Sequence, residues 1–258
     1  MSSQFTTFKA IIERDVRVMS HNLPDFLMRI GVNPVFLAFV FGFVMPRTGT
    51  IPADFANIIL PGILGITTLA AGVQGTAIPL AWDLGTTREI QDRLLAPISL
   101  RLVMLEKIVM GMVESWVAGA FVFPVAYFIM RDNLSLELTS VGGLLLLVVL
   151  GGLAAATLGM VLGTIVEPMR FAMMFATIII PMVFLGATYY PWASLSKIPW
   201  LQYLVLFNPL VYINEGYRAV LTPDVPHMHF GYAILGILVS TALLMAVAVK
   251  TFEKRALS

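Results

Sequence analysis

Residues 55–82 read FANIILPGILGITTLAAGVQGTAIPLAW and contain no Asp, Glu, Lys or Arg. A helix needs about 20 largely apolar residues to cross about 30 Å of hydrocarbon, and this stretch exceeds that length. Five more of the kind lie around it. On the N-terminal side, Ile30 to Met45 is bracketed by Arg29 and Arg47. Downstream, Ile108 to Met130 carries one charge, Glu114, while Leu138 to Val166 and Phe171 to Ser196 carry none. Gly231 to Val249 then runs into a basic tail starting at Lys250. The strict alternation of a barrel strand is absent, so the expected fold is an all-α membrane protein with six transmembrane helices.

Composition points the same way. Of 258 residues, 59% are hydrophobic and 12% charged, with a mean hydropathy of +0.89; soluble domains hold about 25% charged residues. Sixteen basic residues against fifteen acidic ones supply no nucleic-acid footprint and no surface for an acidic partner. The lack of cysteine excludes disulfides, thiolate metal sites and cysteine nucleophiles. The opening MSSQFTTFKAIIERDVRVMSHN has no apolar core of a signal peptide, so it is expected to be retained.

One uncharged piece, Ile198 to Asn214, is interrupted by Pro199 and Pro209. Asn208-Pro209 reads as an N-cap and first helical position, so two half-helices are expected, about Trp200 to Phe207 and Pro209 to Leu221. Lysine and arginine favour the cytoplasmic side. Six spans with both termini inside put twelve of the sixteen basic residues there and four outside, whereas a seventh span changes this to ten and six. Six spans fit better, and the half-helices then form a re-entrant extracellular region.

Phe5, Phe8, Ile12, Val16 and Met19 recur at helical spacing and predict an amphipathic N-terminal helix in the headgroup plane, or one packed on protein. Thr86 and Glu89 match a capping box, with Pro97 ending the segment, so a short helix is expected between the second and third spans. It could lie on lipid, on its own protein or in a partner's groove.

Catalytic constellations are missing from the sequence. His21, His227 and His229 fall outside the spans, and neither HExxH nor G-x-S-x-G occurs. Nor does G-x-x-x-x-G-K-[ST], so the chain has no P-loop for ATP. Glu114 is the ionisable residue inside a span; a charge at the bilayer centre costs about 2.5–3.5 kcal/mol on insertion scales. It is expected to pair with Lys107, to be buried protonated, or to face the substrate path. In the fourth span Gly151, Ala155, Gly159 and Gly163 form a ladder of small residues for close helix contact, within one subunit or between two. Tyr189, Tyr190, Trp192, Trp200, Tyr203, Phe207, Tyr212 and Tyr217 cluster at the expected outer interface, as belt anchors or as contacts to cargo. Glu215 and Arg218, three residues apart, can form an ion pair there.

These parts, in this order, resemble the type-2 ABC exporter permease family. TTREIQDRLLAPISLRLVMLEK after the second span and FLGATYYPWASLSKIPWLQYLVLFNPLVYINEGYR after the fifth carry the resemblance, through Pro191, Pro199-Trp200, Asn208-Pro209-Leu210 and Arg218. The resemblance implies one permease domain over residues 1–258. Residues 1–23 would be its interfacial helix, 83–101 its coupling segment and 187–230 its re-entrant region. Thr86, Thr87, Arg88, Glu89, Ile90, Arg93 and Leu94 would dock on a separate ABC ATPase that binds ATP and Mg, and the chain itself would hold no cofactor or metal. Glu114, Tyr190, Trp192, Trp200, Glu215 and Arg218 would be path or gate residues. A second copy, membrane lipid and the bacterial inner membrane complete the implied setting. An ion-coupled carrier using Glu114 is the alternative.

Overall fold

The computed structural model of the chain describes residues 2–85 and 99–256, apart from the side chains of residues 2–5, 7 and 256. The expected coupling residues Thr86, Thr87, Arg88, Glu89, Ile90, Arg93 and Leu94 lie outside the described residues. Within them the chain is helical and contains no strand. In chain order the helices are α1 (Ser2–His21), α2 (Leu23–Arg47), α3 (Phe55–Gly85), α4 (Leu100–Asn133), α5 (Val141–Ile165), α6 (Pro168–Phe184), α7 (Pro199–Leu204), α8 (Pro209–Leu221) and α9 (Phe230–Arg255). Of these, α2, α3, α4, α5 and α9 are long and apolar enough to cross a membrane.

The uncharged stretch around residue 70 is the centre of the molecule. In α3, 83% of the most apolar window is buried, against 28% in α2 and 22% in α9, so α3 is surrounded by the other helices while α2 and α9 keep an apolar face outward. Close contact with α5 is set by the small-residue ladder. A side chain added at Gly159 would lie 2.9 Å from the Val73 carbonyl oxygen, and one at Gly163 would lie 2.8 Å from that of Ala77. The ladder therefore joins two helices of the same chain. Hydrogen bonds fix α4 beside them: Ser115 Oγ donates to the Thr68 carbonyl at 3.0 Å, and Trp116 Nε1 donates to the Val148 carbonyl at 3.0 Å.

Proline breaks are repaired locally. In α2 the turns widen to π geometry over Ala38–Val44. Pro46 has no N–H for the carbonyl of Gly42, which instead accepts from Asn133 Nδ2 at 3.1 Å.

Where the sequence predicts a span over Phe171 to Ser196, the structure has the shorter α6, of about 25 Å at 1.5 Å per residue. The chain leaves the helix at Leu185, and Ala187 adopts a left-handed backbone with φ of 55°. It then passes through a 3-10 turn at Trp192–Lys197 into α7. Asn208 caps α8 by accepting the Leu210 N–H at 3.0 Å, and its Nδ2 donates to the Met182 carbonyl at 2.7 Å, tying α8 to α6.

The N-terminal α1 packs on α4 and α2. Its partly buried residues are Phe8, Ile11, Ile12, Asp15 and Met19, while Val16 and Val18 are exposed. This face keeps Phe8, Ile12 and Met19 of the expected stripe but not Val16, and it includes Asp15, which hydrogen-bonds Glu106 of α4.

Candidate functional site

Near the start of α3 lies a sealed polar cluster. Glu215 and Arg218 of α8 form an ion pair in which both side chains have 0% exposure. Glu215 also accepts the backbone N–H of Trp192 at 2.8 Å and that of Met228 at 2.6 Å. Arg218 donates to the carbonyls of Ala187 at 3.0 Å and Ile58 at 3.3 Å. The pair thus joins α3, α8 and the connections before α7 and α9. A buried ion pair holds together when hydrogen bonds use its remaining atoms, and most are used here.

The aromatic residues expected at a gate divide around this cluster. Trp192 donates from Nε1 to the Gln202 carbonyl at 3.0 Å, and Tyr190 donates from its hydroxyl to the Phe184 carbonyl at 3.0 Å. Trp200 stands apart, 69% exposed. In this conformation Glu215 and Arg218 reach no surface.

Near the end of α3 lies an open cavity of about 360 Å³, bounded by α1, α2, α3 and α4. Arg14, Asp15, Arg29, Asp83, Glu106, Lys107 and Glu114 are among its lining residues. Asp83 belongs to the buried end of α3, where the sequence predicts the coupling segment to begin. Its carboxylate holds Lys107 Nζ at 2.9 Å, with Glu106 at 3.9 Å. The expected pairing of Lys107 with Glu114 is therefore replaced by one with Asp83. Seven residues of helix separate Lys107 from Glu114 by about 10 Å along the axis, whereas α3 brings Asp83 alongside.

Glu114 sits over Gly75, whose missing side chain makes room for it; an added Cβ would meet Oε2 at 2.5 Å. That oxygen is buried and has no hydrogen-bond partner. The cation acting on it is Arg29. At the mouth, burial works against the Asp15 carboxylate, but its hydrogen bond to Glu106 and the guanidinium of Arg14 outweigh this and hold its pKa below 3.8.

A third feature is a groove of about 420 Å³ between α2, α3 and α6. Ile30, Pro34, Leu37, Phe175, Ile179, Val183 and Phe184 make it apolar, and Asn33, Thr67 and Gln74 supply scattered polar groups. Arg29 lines both this groove and the charged cavity. Such a lining, largely apolar with a few fixed polar groups, suits an organic ligand. Sequence reasoning missed the groove. Gln74, a long polar side chain inside an uncharged span, was the available signal.

Among the described residues no cluster of three or more His, Asp or Glu could hold a metal ion. No curated protein matches the chain. The pattern of the ABC-2 type transporter family does match, over residues 6–222, from α1 to the end of α8. This multi-pass membrane protein, with its bundle around α3 and its groove beside α2, belongs to the ABC-2 type transporter family.

Proposed function

We propose that the chain is the permease subunit of an ATP-driven exporter that moves an amphipathic, lipid-linked or drug-like molecule outward across the bacterial cytoplasmic membrane. Family membership carries this reading, because ABC-2 permeases typically work with an ATPase subunit. The groove between α2, α3 and α6 supports it by offering an apolar path with few fixed polar groups. In this reading α6 and the turns after it act as the fifth of six spans, both termini are cytoplasmic, and α1 lies in the headgroup plane. Residues Thr86 to Leu94 dock on the ATPase, and two copies of the chain enclose one pathway. Tyr190, Trp192, Trp200, Glu215 and Arg218 belong to its outer closure, and Glu114 faces the inner approach.

Purifying the chain together with an ABC ATPase co-expressed from its own genome tests the proposal. The expected outcome is a stable complex that is weakened by Arg88→Ala and Glu89→Ala and hydrolyses ATP faster when cargo is added. Failure to co-purify, with both substitutions leaving transport untouched, overturns it. A carrier driven by a proton gradient through Glu114 would instead transport with no ATPase present.

A further inference from the structure

The charged cavity and the apolar groove meet at one shared lining residue, Arg29. Asn22, which precedes α2, and Phe26, Arg29, Asn33 and Leu37 within it recur every three or four residues, so they share one side of that helix. The first three line the cavity, the last three line the groove, and Arg29 lines both. Each of the two falls within the range of about 300–1,000 Å³ typical of small-molecule sites.

Most charges of the cavity satisfy one another. Arg14 holds Asp15 at 2.7 Å, and Lys107 holds Asp83 at 2.9 Å. Glu106 hydrogen-bonds Asp15 and lies 3.9 Å from Lys107 Nζ. The other two, Glu114 and Arg29, are of opposite sign. Glu114 has a buried oxygen without a hydrogen-bond partner. Arg29 forms no ion pair among the described residues, and its guanidinium stands 6.0 Å from the Phe26 ring. The two act on each other electrostatically but do not form an ion pair. A carboxylate buried without a donor is unfavourable, so a ligand donor gains most at that oxygen. A cationic ligand would satisfy Glu114 while bringing its charge toward Arg29, and an anionic one would do the reverse. A molecule carrying both charges satisfies both.

We propose that the cavity and the groove together bind a zwitterionic amphiphile, with a primary ammonium on Glu114, a phosphate on Arg29 and a hydrocarbon chain along the groove. This deepens the permease reading, on which it rests for the use made of the bound molecule. The ammonium donates to the orphan oxygen of Glu114, and the guanidinium donates to the phosphate. The chain lies against Pro34, Leu37 and Phe184.

The test is binding to the purified full chain in neutral maltoside micelles, with three probes that share a twelve-carbon chain: dodecylphosphoethanolamine, dodecylamine and dodecyl phosphate. The first is expected to bind at least tenfold more tightly than either of the others. Glu114→Gln should weaken it about tenfold and shift preference toward dodecyl phosphate, whereas Arg29→Gln should shift preference toward dodecylamine. Thr67→Trp, which fills the groove, should weaken all three alike. Equal affinity for the three head groups, or preferences unmoved by both charge substitutions, overturns the proposal. Arg29 is exposed, so its variant carries the test if Glu114→Gln does not fold. The assay needs no ATP: head-group selection can fail while the ATPase still co-purifies, and the reverse outcome rejects the permease reading alone.

Discussion

Two sets of charges sit near opposite ends of α3, and they are completed differently. Ile58 and Asp83, which touch one set each, are 25 residues apart (83 − 58), or about 37 Å of helix. At the Ile58 end, Glu215 and Arg218 are fully enclosed, and four backbone N–H and carbonyl groups from three segments use nearly all their hydrogen-bonding capacity. At the Asp83 end, Lys107 is held by Asp83, yet Glu114 keeps an orphan oxygen beside an open cavity. Burial of charge thus serves two ends in one protein. A saturated pair fastens loops together, whereas Glu114 faces an open cavity with one oxygen that no protein group among the described residues uses.

The contrast can be broken most forcefully at Arg218. Arg218→Met leaves Glu215 charged and sealed, so unfolding of the detergent-purified protein should show a loss of about 3–5 kcal/mol. Lys107→Met removes the cation from Asp83 in the same way, but the adjoining cavity admits water to the stranded carboxylates. Its loss should be smaller, about 1–3 kcal/mol by the same unfolding measurement. Equal losses would mean that the two ends are alike. Glu114→Gln should leave stability within about 0.5 kcal/mol, since no partner is lost with the charge; a drop as large as that of Arg218→Met would make Glu114 a structural anchor.

The smallest effect concerns pH. The pKa of Asp15 is depressed in the folded chain, so its contribution to holding α1 is present above its unfolded value of 3.8. It is lost as pH falls through the lower folded value. Proteolysis of α1 should therefore be unchanged between about pH 5 and 8 and should accelerate only below about pH 4.

Much of the fold is legible because hydrocarbon is a demanding solvent. Charge-free stretches of sufficient length mark α3, α5 and α9 directly, and Asn208-Pro209 marks the start of α8 through the capping and proline chemistry that the structure contains. The end of the fifth stretch is less legible, for a related reason. Lack of charge in Phe171 to Ser196 shows compatibility with an apolar setting, but Gly186, Ala187 and Pro191 carry the chain out of the helix after Phe184. The site is less legible than the fold. Glu215 and Arg218 are visible as an i, i+3 pair, but their enclosure depends on Ile58, Ala187 and Met228, brought from distant parts of the chain. Lys107 with Asp83 likewise joins two helices that spacing within one helix cannot connect. The groove is written in residues of α2, α3 and α6 that each look like ordinary span residues until the helices are side by side.

Transport in proteoliposomes tests the central claim most directly. Vesicles containing the chain, with or without the proposed ATPase, would be loaded with ATP on the nucleotide-binding side and supplied with a fluorescent zwitterionic amphiphile. The account predicts translocation only when chain, ATPase and ATP are all present, and at least a tenfold fall with Glu114→Gln. Movement by the chain alone, or undiminished movement in the Glu114→Gln protein, would contradict it.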